Sequence, residues 1–240
     1  MHVLITRQIE QSKKFSSLLD CEGIKNSIFP LIRIKNIRIK KTDIDNIKES
    51  NCIIFTSQNS VTSLLEGLEE NLDFNAKTIA AIGESTKYLL NKYNINVDIV
   101  PSSDFSSESL LVEIKKQNIA NPKYIIIKGL GGRTHLHDKL SIDNFVYDDV
   151  NTYSRNFPEN LDKLTLNTMP DFTHICITSV EVLNNFLEAQ KILKFKISID
   201  IVFISGNERI GYKIREFFPK NKILISENPT NQAMLKTILS

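Results

Sequence analysis

The segment CIIFTSQNSVTSLLEGL, residues 52–68, decides the fold class of this chain. Its first four residues are continuously apolar, as in a strand of a parallel sheet that is covered on both faces. A Thr-Ser step follows, and apolar residues then recur at helical spacing behind Ser57, a good N-cap residue. The segment therefore predicts a strand, a tight turn and a helix, the unit from which parallel α/β folds are built.

Similar units recur along the rest of the chain. Short β-branched or apolar runs alternate with stretches of helical period that begin near Ser, Asn or Thr. This alternation is typical of a parallel α/β fold. The predicted strands are 3–6, 27–31, 52–56, 78–82, 97–100, 124–128, 145–148, 174–178, 201–205 and 222–225.

Two parts of the chain repeat one another in the same order. FTSQNSVTSLL (55–65) matches ITSVEVLNNFL (177–187), and IAAIGESTKYL (79–89) matches VFISGNERIGY (202–212). A third, looser match lies between the segments that start at Val100 and Ser226. A duplicated domain explains the shared order better than chance.

The copies are not arranged head to tail, because residues 42–149 hold five predicted strands and the chain from residue 157 holds only three. The two predicted strands at the N-terminus, added to these three, give the other domain five strands as well. We therefore predict a discontinuous domain, 1–34 plus 156–240, with a second domain, 42–149, inserted in it. The connecting segments 35–41 and 150–155 are expected to run side by side as a two-stranded hinge next to a cleft.

Composition excludes several classes of function. The chain has 240 residues with 41% hydrophobic and 24% charged residues, which is ordinary for a globular protein. Its formal net charge of +2 is too small to suggest general binding of nucleic acid. We also expect no membrane partner, since no apolar stretch approaches the ~20 residues of a membrane span.

The cysteines and the first residues predict a cytoplasmic protein. Cys21, Cys52 and Cys176 are odd in number and form no CxxC pair, and the last two lie in apolar runs. Small buried thiols in a reducing compartment are the favoured interpretation. The start MHVLITRQ places Arg7 directly after a short apolar run, unlike a signal peptide.

The segment KGLGGRTHL, residues 128–136, follows a predicted strand and is the most informative motif. Its glycines allow the backbone to approach a ligand, and Arg133 can bind a carboxylate or phosphate through two N–H groups. A tight turn that needs glycine is the alternative. His135 and His137 form an HxH pair, but no carboxylate or cysteine cluster accompanies them, so no metal site is predicted.

Hydroxyl-rich loops follow five other predicted strands, at 56–60, 83–86, 102–109, 178–181 and 205–208. In open parallel sheets, ligands bind at the carboxyl ends of the strands. Helix capping is the alternative, because any α/β protein needs cap residues at these positions. Taken singly most of these residues fit capping, whereas taken together they favour a ligand with carboxylate groups.

Tyr153 comes at the end of the second connecting segment, beside the predicted cleft. Its phenol can donate a proton to a leaving group, or its ring can simply pack while the hydroxyl faces water. The residues alone favour packing. Paired catalytic acids, a Ser/His/Asp set and metal-ligand spacing are all missing from the sequence, so an enzyme built on it would work chiefly by positioning and backbone hydrogen bonds.

The ordered set of motifs resembles the uroporphyrinogen-III synthase family. The motifs are LITR (4–7), FPL (29–31), IIFTSQNSV (53–61), AAIGEST (80–86), SSESLL (106–111), KGLGGR (128–133), TYSR (152–155), ICITS (175–179), VFISG (202–206) and ENPTNQAML (227–235). They span nearly the whole chain. The resemblance implies two flavodoxin- or Rossmann-like parallel-sheet domains, one of them discontinuous, joined by a two-stranded linker around a cleft.

The same resemblance implies a hydro-lyase that closes the tetrapyrrole ring. The substrate would be hydroxymethylbilane, a linear tetrapyrrole with acetate and propionate arms. Loss of its terminal hydroxyl, attack by the substituted carbon of the last ring and reclosure through a spiro intermediate would give uroporphyrinogen III with ring D inverted. The family needs no cofactor or metal, and we expect a monomer.

Matching the motifs residue by residue implies that Tyr153 assists departure of the hydroxyl. Lys128 stands where an arginine is common, and Glu208 stands where some members have a threonine facing the substrate, so that role is not carried over to Glu208. The family positions and the strand-end loops together predict these substrate-binding residues: Thr6, Arg7, Ser57, Asn59, Gly83, Ser85, Thr86, Lys128, Gly129, Gly131, Gly132, Arg133, Thr178, Ser179, Ser205 and Asn207.

Two other functions stay open on the residues alone. A non-catalytic module with two lobes would bind an anionic small molecule and leave it unchanged. An enzyme of sugar phosphates or nucleotides would use 128–133 as a phosphate loop, although these residues match neither a Walker loop nor GxGxxG.

Overall fold

A computed structural model describes residues 1–69, 71–101, 106–117, 119, 121–131, 145–159, 161 and 172–240, without the side chain of Ser107. The chain divides into two compact units. Unit 1 comprises Met1–Arg33 and Asn156–Ser240, and unit 2 comprises Ile34–Arg155.

The described residues form ten strands and eight helices, numbered in chain order. The strands are β1 His2–Ile5, β2 Lys25–Ile28, β3 Arg33–Asn36, β4 Cys52–Phe55, β5 Thr78–Ala81, β6 Lys123–Gly129, β7 Val146–Asn156, β8 His174–Ile177, β9 Val202–Ser205 and β10 Ile223–Ile225. The helices are α1 Ile9–Cys21, α2 Lys41–Glu49, α3 Gln58–Gly67, α4 Glu84–Lys92, α5 Ser107–Lys116, α6 Val180–Leu193, α7 Glu208–Phe217 and α8 Asn231–Leu239.

Each unit contains one five-stranded sheet. The strand order is β10-β9-β8-β1-β2 in unit 1 and β3-β7-β6-β4-β5 in unit 2. The four neighbouring pairs of unit 1 are parallel, as are β7–β6, β6–β4 and β4–β5 in unit 2. The predicted α/β class with two parallel sheets is confirmed.

Alternation of side chains along the strands builds two apolar layers in each unit. In β1 of unit 1, Leu4 packs into one cluster, whereas Val3 and Ile5 pack into another. In β4 of unit 2, Phe55 and Ile53 belong to one cluster and Ile54 to another. The continuous apolar runs therefore reflect sheets that are covered on both faces.

One predicted strand is wrong, and one observed strand was predicted only as part of a connecting segment. Residues 97–100 make only an isolated bridge, from Ile99 to Ala80. The fifth strand of unit 2 is instead β3, which lies beside β7, and the N–H of Ile37 donates to the carbonyl of Thr152 at 2.8 Å. Because β7 extends to Asn156, the predicted connecting segment 150–155 is part of a strand. The predicted domain boundaries and the hinge stay predictions.

In the described part of the chain, no helix combines the length and the apolar composition needed to cross a membrane.

The cysteines give a test of the packing. Cys21 is exposed, whereas Cys52 and Cys176 are buried. Burial, the largest cause in each case, raises the pKa of the Cys52 and Cys176 thiols to about 12. Since the thiolate is the reactive form, Ellman's reagent at pH 8 should modify one of the three thiols rapidly in the native protein and all three in urea. Rapid modification of Cys52 or Cys176 in the native protein would contradict this core.

Candidate functional site

The carboxyl ends of four neighbouring strands in unit 2 form the edge at which ligands bind in open parallel sheets. The strand order places the ends of β7, β6, β4 and β5 in succession. Tyr153 lies on β7, Gly129 ends β6, Ser57 follows β4 and Gly83 follows β5. Four of the predicted site residues therefore belong to one edge of one sheet.

The side chain of Tyr153 crosses the neighbouring strand to reach the next one. Between β6 and β7 the register shifts, so that Lys128 pairs with Asn151 and Gly129 pairs with Tyr153. Thr152 is the extra residue of this bulge, a device that changes the direction of a side chain. The phenol oxygen of Tyr153 lies 3.1 Å from Oγ of Ser57, at the end of β4.

Gly129 makes this crossing sterically feasible. A Cβ atom at position 129 would lie 2.6 Å from Cζ of Tyr153 and 2.9 Å from its hydroxyl oxygen. Contacts this short do not occur between carbon atoms in folded proteins. The glycine is therefore needed because the aromatic ring lies directly against its α-carbon.

Ser57 is fixed by the helix that it caps. Its Oγ accepts a hydrogen bond from the N–H of Ser60 at 3.1 Å in the first turn of α3. The next residue, Gln58, donates from Nε2 to the carbonyl of Ser85 at 2.9 Å and so joins the first turns of α3 and α4. Asn59 is half-buried in the same first turn of α3. The hydroxyl that meets Tyr153 consequently belongs to a rigid helix end.

The start of α4 presents backbone donors. Gly83 is its N-cap residue and has no side chain to cap the first amides. Ser85 is exposed in this turn, and Thr86 is buried. Amide N–H groups at a helix N-terminus, together with the helix dipole, favour an anion.

Arg155, a residue outside the predicted site, is a contact of Tyr153. Its Nη2 donates to the phenol oxygen at 3.2 Å, and its guanidinium carbon lies 5.5 Å from the ring centroid. Residues two apart on a strand share a face. That spacing, Tyr153 to Arg155, is the signal in the sequence from which this contact was predictable.

The glycine-rich segment after β6 lies only partly within the described residues. Lys128 pairs with Asp149, with 3.4 Å between Nζ and Oδ2, so its charge is directed along the sheet. Gly131 is exposed and has φ +71°, a left-handed conformation that favours glycine. Gly132 and Arg133 lie outside the described residues, as do the two histidines of the HxH pair.

In unit 1, Arg7 lies at the carboxyl edge of that unit's own sheet. Arg7 follows β1 and donates to Oδ1 of Asn231 at 2.7 Å and to Oε1 of Gln11 at 3.2 Å. Within the described ranges no carboxylate forms an ion pair with it. Desolvation by burial, the largest cause, lowers the pKa of Arg7. A partly desolvated guanidinium held only by neutral groups is suited to bind an anion.

The other predicted residues of unit 1 mostly have structural partners. Thr6 is buried and donates to the carbonyl of Cys176, and Ser205 is buried and donates to the carbonyl of Asn207 at 2.7 Å. The side-chain oxygens of Ser179 and Asn207 cap α6 and α7. Thr178 is half-buried beside Ser179. Contact of these residues with a ligand stays a prediction.

Titratable side chains give no sign of a metal centre in the part of the chain that the structure describes. There, no three His, Cys, Asp or Glu side chains come together in a group that could hold an ion.

Gly129→Ala tests the contact between Gly129 and Tyr153. The new methyl group collides with the ring, so we expect the free energy of unfolding to fall by about 1–3 kcal/mol. The control is Gly211→Ala in α7, whose new Cβ would lie 3.2 Å from the flexible end of Ile225. The measurement is urea denaturation followed by far-UV circular dichroism. Equal stability of the two variants would contradict the crossing of Tyr153 over β6.

Comparison with known proteins places this arrangement in a family. The family model described as uroporphyrinogen-III synthase HemD matches residues 13–236. A protein of Methanocaldococcus jannaschii with the provisional name uroporphyrinogen-III synthase is 33% identical over 225 residues, which are 89% of this chain and 91% of that protein.

Two crystal structures share the fold. The uroporphyrinogen-III synthetase of Helicobacter pylori superimposes with a TM-score of 0.68 at 17% identity, over 100% of this chain and 99% of that one. A mutant uroporphyrinogen III synthase of Thermus thermophilus gives 0.56 at 13% identity, over 100% and 97%. The structural likeness shows the fold, and the match over most of the sequence shows the family: this chain belongs to the uroporphyrinogen-III synthase family.

Proposed function

We propose that this protein is a uroporphyrinogen-III synthase, a hydro-lyase. It converts hydroxymethylbilane into uroporphyrinogen III and water, with inversion of ring D and without a cofactor or metal. The observation that carries the proposal is the phenol of Tyr153, held at the carboxyl edge of a parallel sheet by Ser57 and Arg155, in a chain of this family.

Tyr153 assists the first chemical step. Its phenol gives a proton to the terminal hydroxyl of the substrate as the carbon–oxygen bond breaks, so that water leaves and an azafulvene cation forms. When the new ring loses the hydrogen on its reacting carbon, that proton returns to the Tyr153 phenolate, so the phenol is restored for the next turnover. Tyr153 is only 1% exposed, so the Ser57 hydroxyl bonded to its phenol relays the proton to the substrate.

The later steps depend on positioning. The substituted carbon of ring D attacks the electrophile, and the spiro intermediate breaks and recloses with that ring inverted. Spontaneous closure gives the uninverted isomer, so the protein must hold one geometry and exclude water.

Neutral donors and a few cations bind the acetate and propionate arms. In unit 2 the amides at the start of α4 serve this purpose, and in unit 1 Arg7 does. The remaining predicted residues bind through backbone N–H groups, including Gly132, Arg133, Thr178 and Ser179. This distribution accommodates a polyanion although the net charge is only +2.

The remaining expectations are part of the proposal. The linear tetrapyrrole is the partner, the protein acts as a monomer in the cytoplasm, and tetrapyrrole (haem) biosynthesis uses its product. A reducing compartment suits the three free cysteines.

The decisive assay mixes the purified protein with freshly generated hydroxymethylbilane, oxidises the products and separates the porphyrin isomers. We expect isomer III in proportion to the protein added. Isomer I alone, from a folded protein, would overturn the enzymatic function and favour a module that binds an anionic small molecule.

Tyr153→Phe tests the role of the phenol. Removing one oxygen atom leaves the packed ring in place, and we expect the rate of isomer III formation to fall about 100-fold, as for loss of a general acid. The matched control is Tyr88→Phe on α4, an exposed tyrosine of the same unit, which should keep the wild-type rate. If Tyr153→Phe formed isomer III at the wild-type rate, the phenol would have no catalytic role and Tyr153 would serve only in packing.

A further inference from the structure

The guanidinium group of Arg155 lies over the phenol of Tyr153. One N–H donates to the phenol oxygen at 3.2 Å, and the guanidinium carbon is 5.5 Å from the ring centroid, within the range of a cation–π contact. Both side chains project from the same face of β7, because they are two residues apart. The two groups therefore form a local pair that does not depend on any other element.

Arg155 has no acidic partner in the described ranges. Other basic side chains of unit 2 do form ion pairs there, such as Lys128 with Asp149 and Lys123 with Glu49. Arg155 is exposed, and the group that its guanidinium contacts is the neutral phenol. Among the described residues, this cation therefore lies beside the phenol oxygen without a carboxylate to neutralise it.

The donor and acceptor pattern leaves the phenol proton available. Arginine can only donate, so the phenol oxygen accepts from Arg155. Ser57 Oγ already accepts the N–H of Ser60. If the Ser57 hydroxyl donates to the phenol oxygen, the phenol proton is left to donate to a third group. If Ser57 Oγ accepts the phenol proton, the Ser57 hydroxyl proton is left to do so. In either arrangement one proton of the pair faces an acceptor other than Arg155.

We propose that Arg155 is a positioning residue for Tyr153. It holds the phenol oxygen in place and stabilises the negative charge that develops there as the proton is transferred. The inference rests on the proposed function, in which Tyr153 assists departure of the substrate hydroxyl. Arg155 acts through the phenol, so its contribution exists only when the phenol is present.

A direct contact between Arg155 and a substrate carboxylate is the competing role. It would raise KM, and it would do so equally with and without the phenol. A role in folding would lower the stability of the variants and would also be independent of the phenol. A double-mutant cycle separates these roles.

The experiment measures kcat and KM for isomer III formation by wild type, Arg155→Gln, Tyr153→Phe and the double variant. We expect Arg155→Gln to lower kcat about 10-fold in the wild-type background, as for a lost charge-assisted hydrogen bond. In the Tyr153→Phe background the further loss should be less than about twofold. KM should change little in either background.

Two further variants sharpen the result. Arg155→Lys keeps the charge but not the planar fork and should recover part of the rate, to about threefold below wild type. Arg38→Gln removes the same charge from another exposed position of unit 2 and should match wild type. Circular dichroism checks the folding of each variant, and Arg155→Lys serves alone if Arg155→Gln does not fold.

The outcomes are distinct. An equal loss in both backgrounds, a change confined to KM or an unchanged kcat for Arg155→Gln would overturn the role of Arg155 while wild type still forms isomer III. Isomer I alone from wild type would instead overturn the proposed function, and the role of Arg155 with it.

Discussion

The candidate site in unit 2 depends on the passage of the Tyr153 ring across the end of β6. Three neighbouring strands each supply one condition for it. β7 supplies the extra residue Thr152, which shifts the register. β6 supplies Gly129, whose α-carbon carries no side chain. β4 leads to Ser57, whose hydroxyl forms a hydrogen bond with the phenol. Loss of any one condition moves the phenol oxygen or removes its contact with Ser57. The site is therefore a property of the sheet rather than of one loop.

Much of the fold was predictable because buried parallel strands leave a strong pattern. Continuous apolar runs such as 52–55 and 175–177, each followed by a cap residue and a helical period, predict the fold class and the repeated unit. The failures have physical reasons. Residues 97–100 are as apolar as a strand but form one bridge, whereas β3 alternates basic and apolar residues and looks like a linker in sequence. The segments 35–41 and 150–155 were predicted to run side by side as a connection, and apolar content alone does not distinguish such a connection from the paired strands β3 and β7.

The site was predictable in its location and less so in its contacts. Strand-end loops mark the carboxyl edge, and Tyr153 and Gly129 were both selected. The register shift that brings them together depends on tertiary pairing, so their direct contact was not predictable. Arg155 was overlooked because an arginine next to a connecting segment resembles a solvated side chain. Only the three-dimensional position of the phenol gives it a partner.

Ser57 shows that helix capping and contact with a functional group are compatible roles for one strand-end hydroxyl. Its oxygen accepts the amide of Ser60 and still meets the phenol of Tyr153, because a hydroxyl has two lone pairs and one proton. The cap fixes the oxygen, and the fixed oxygen then orients a second group. Buried hydroxyls such as Thr6, bonded to the carbonyl of Cys176, have used their proton inside the sheet. The distinction between structural and functional hydroxyls thus depends on whether bonding capacity remains after the cap is made.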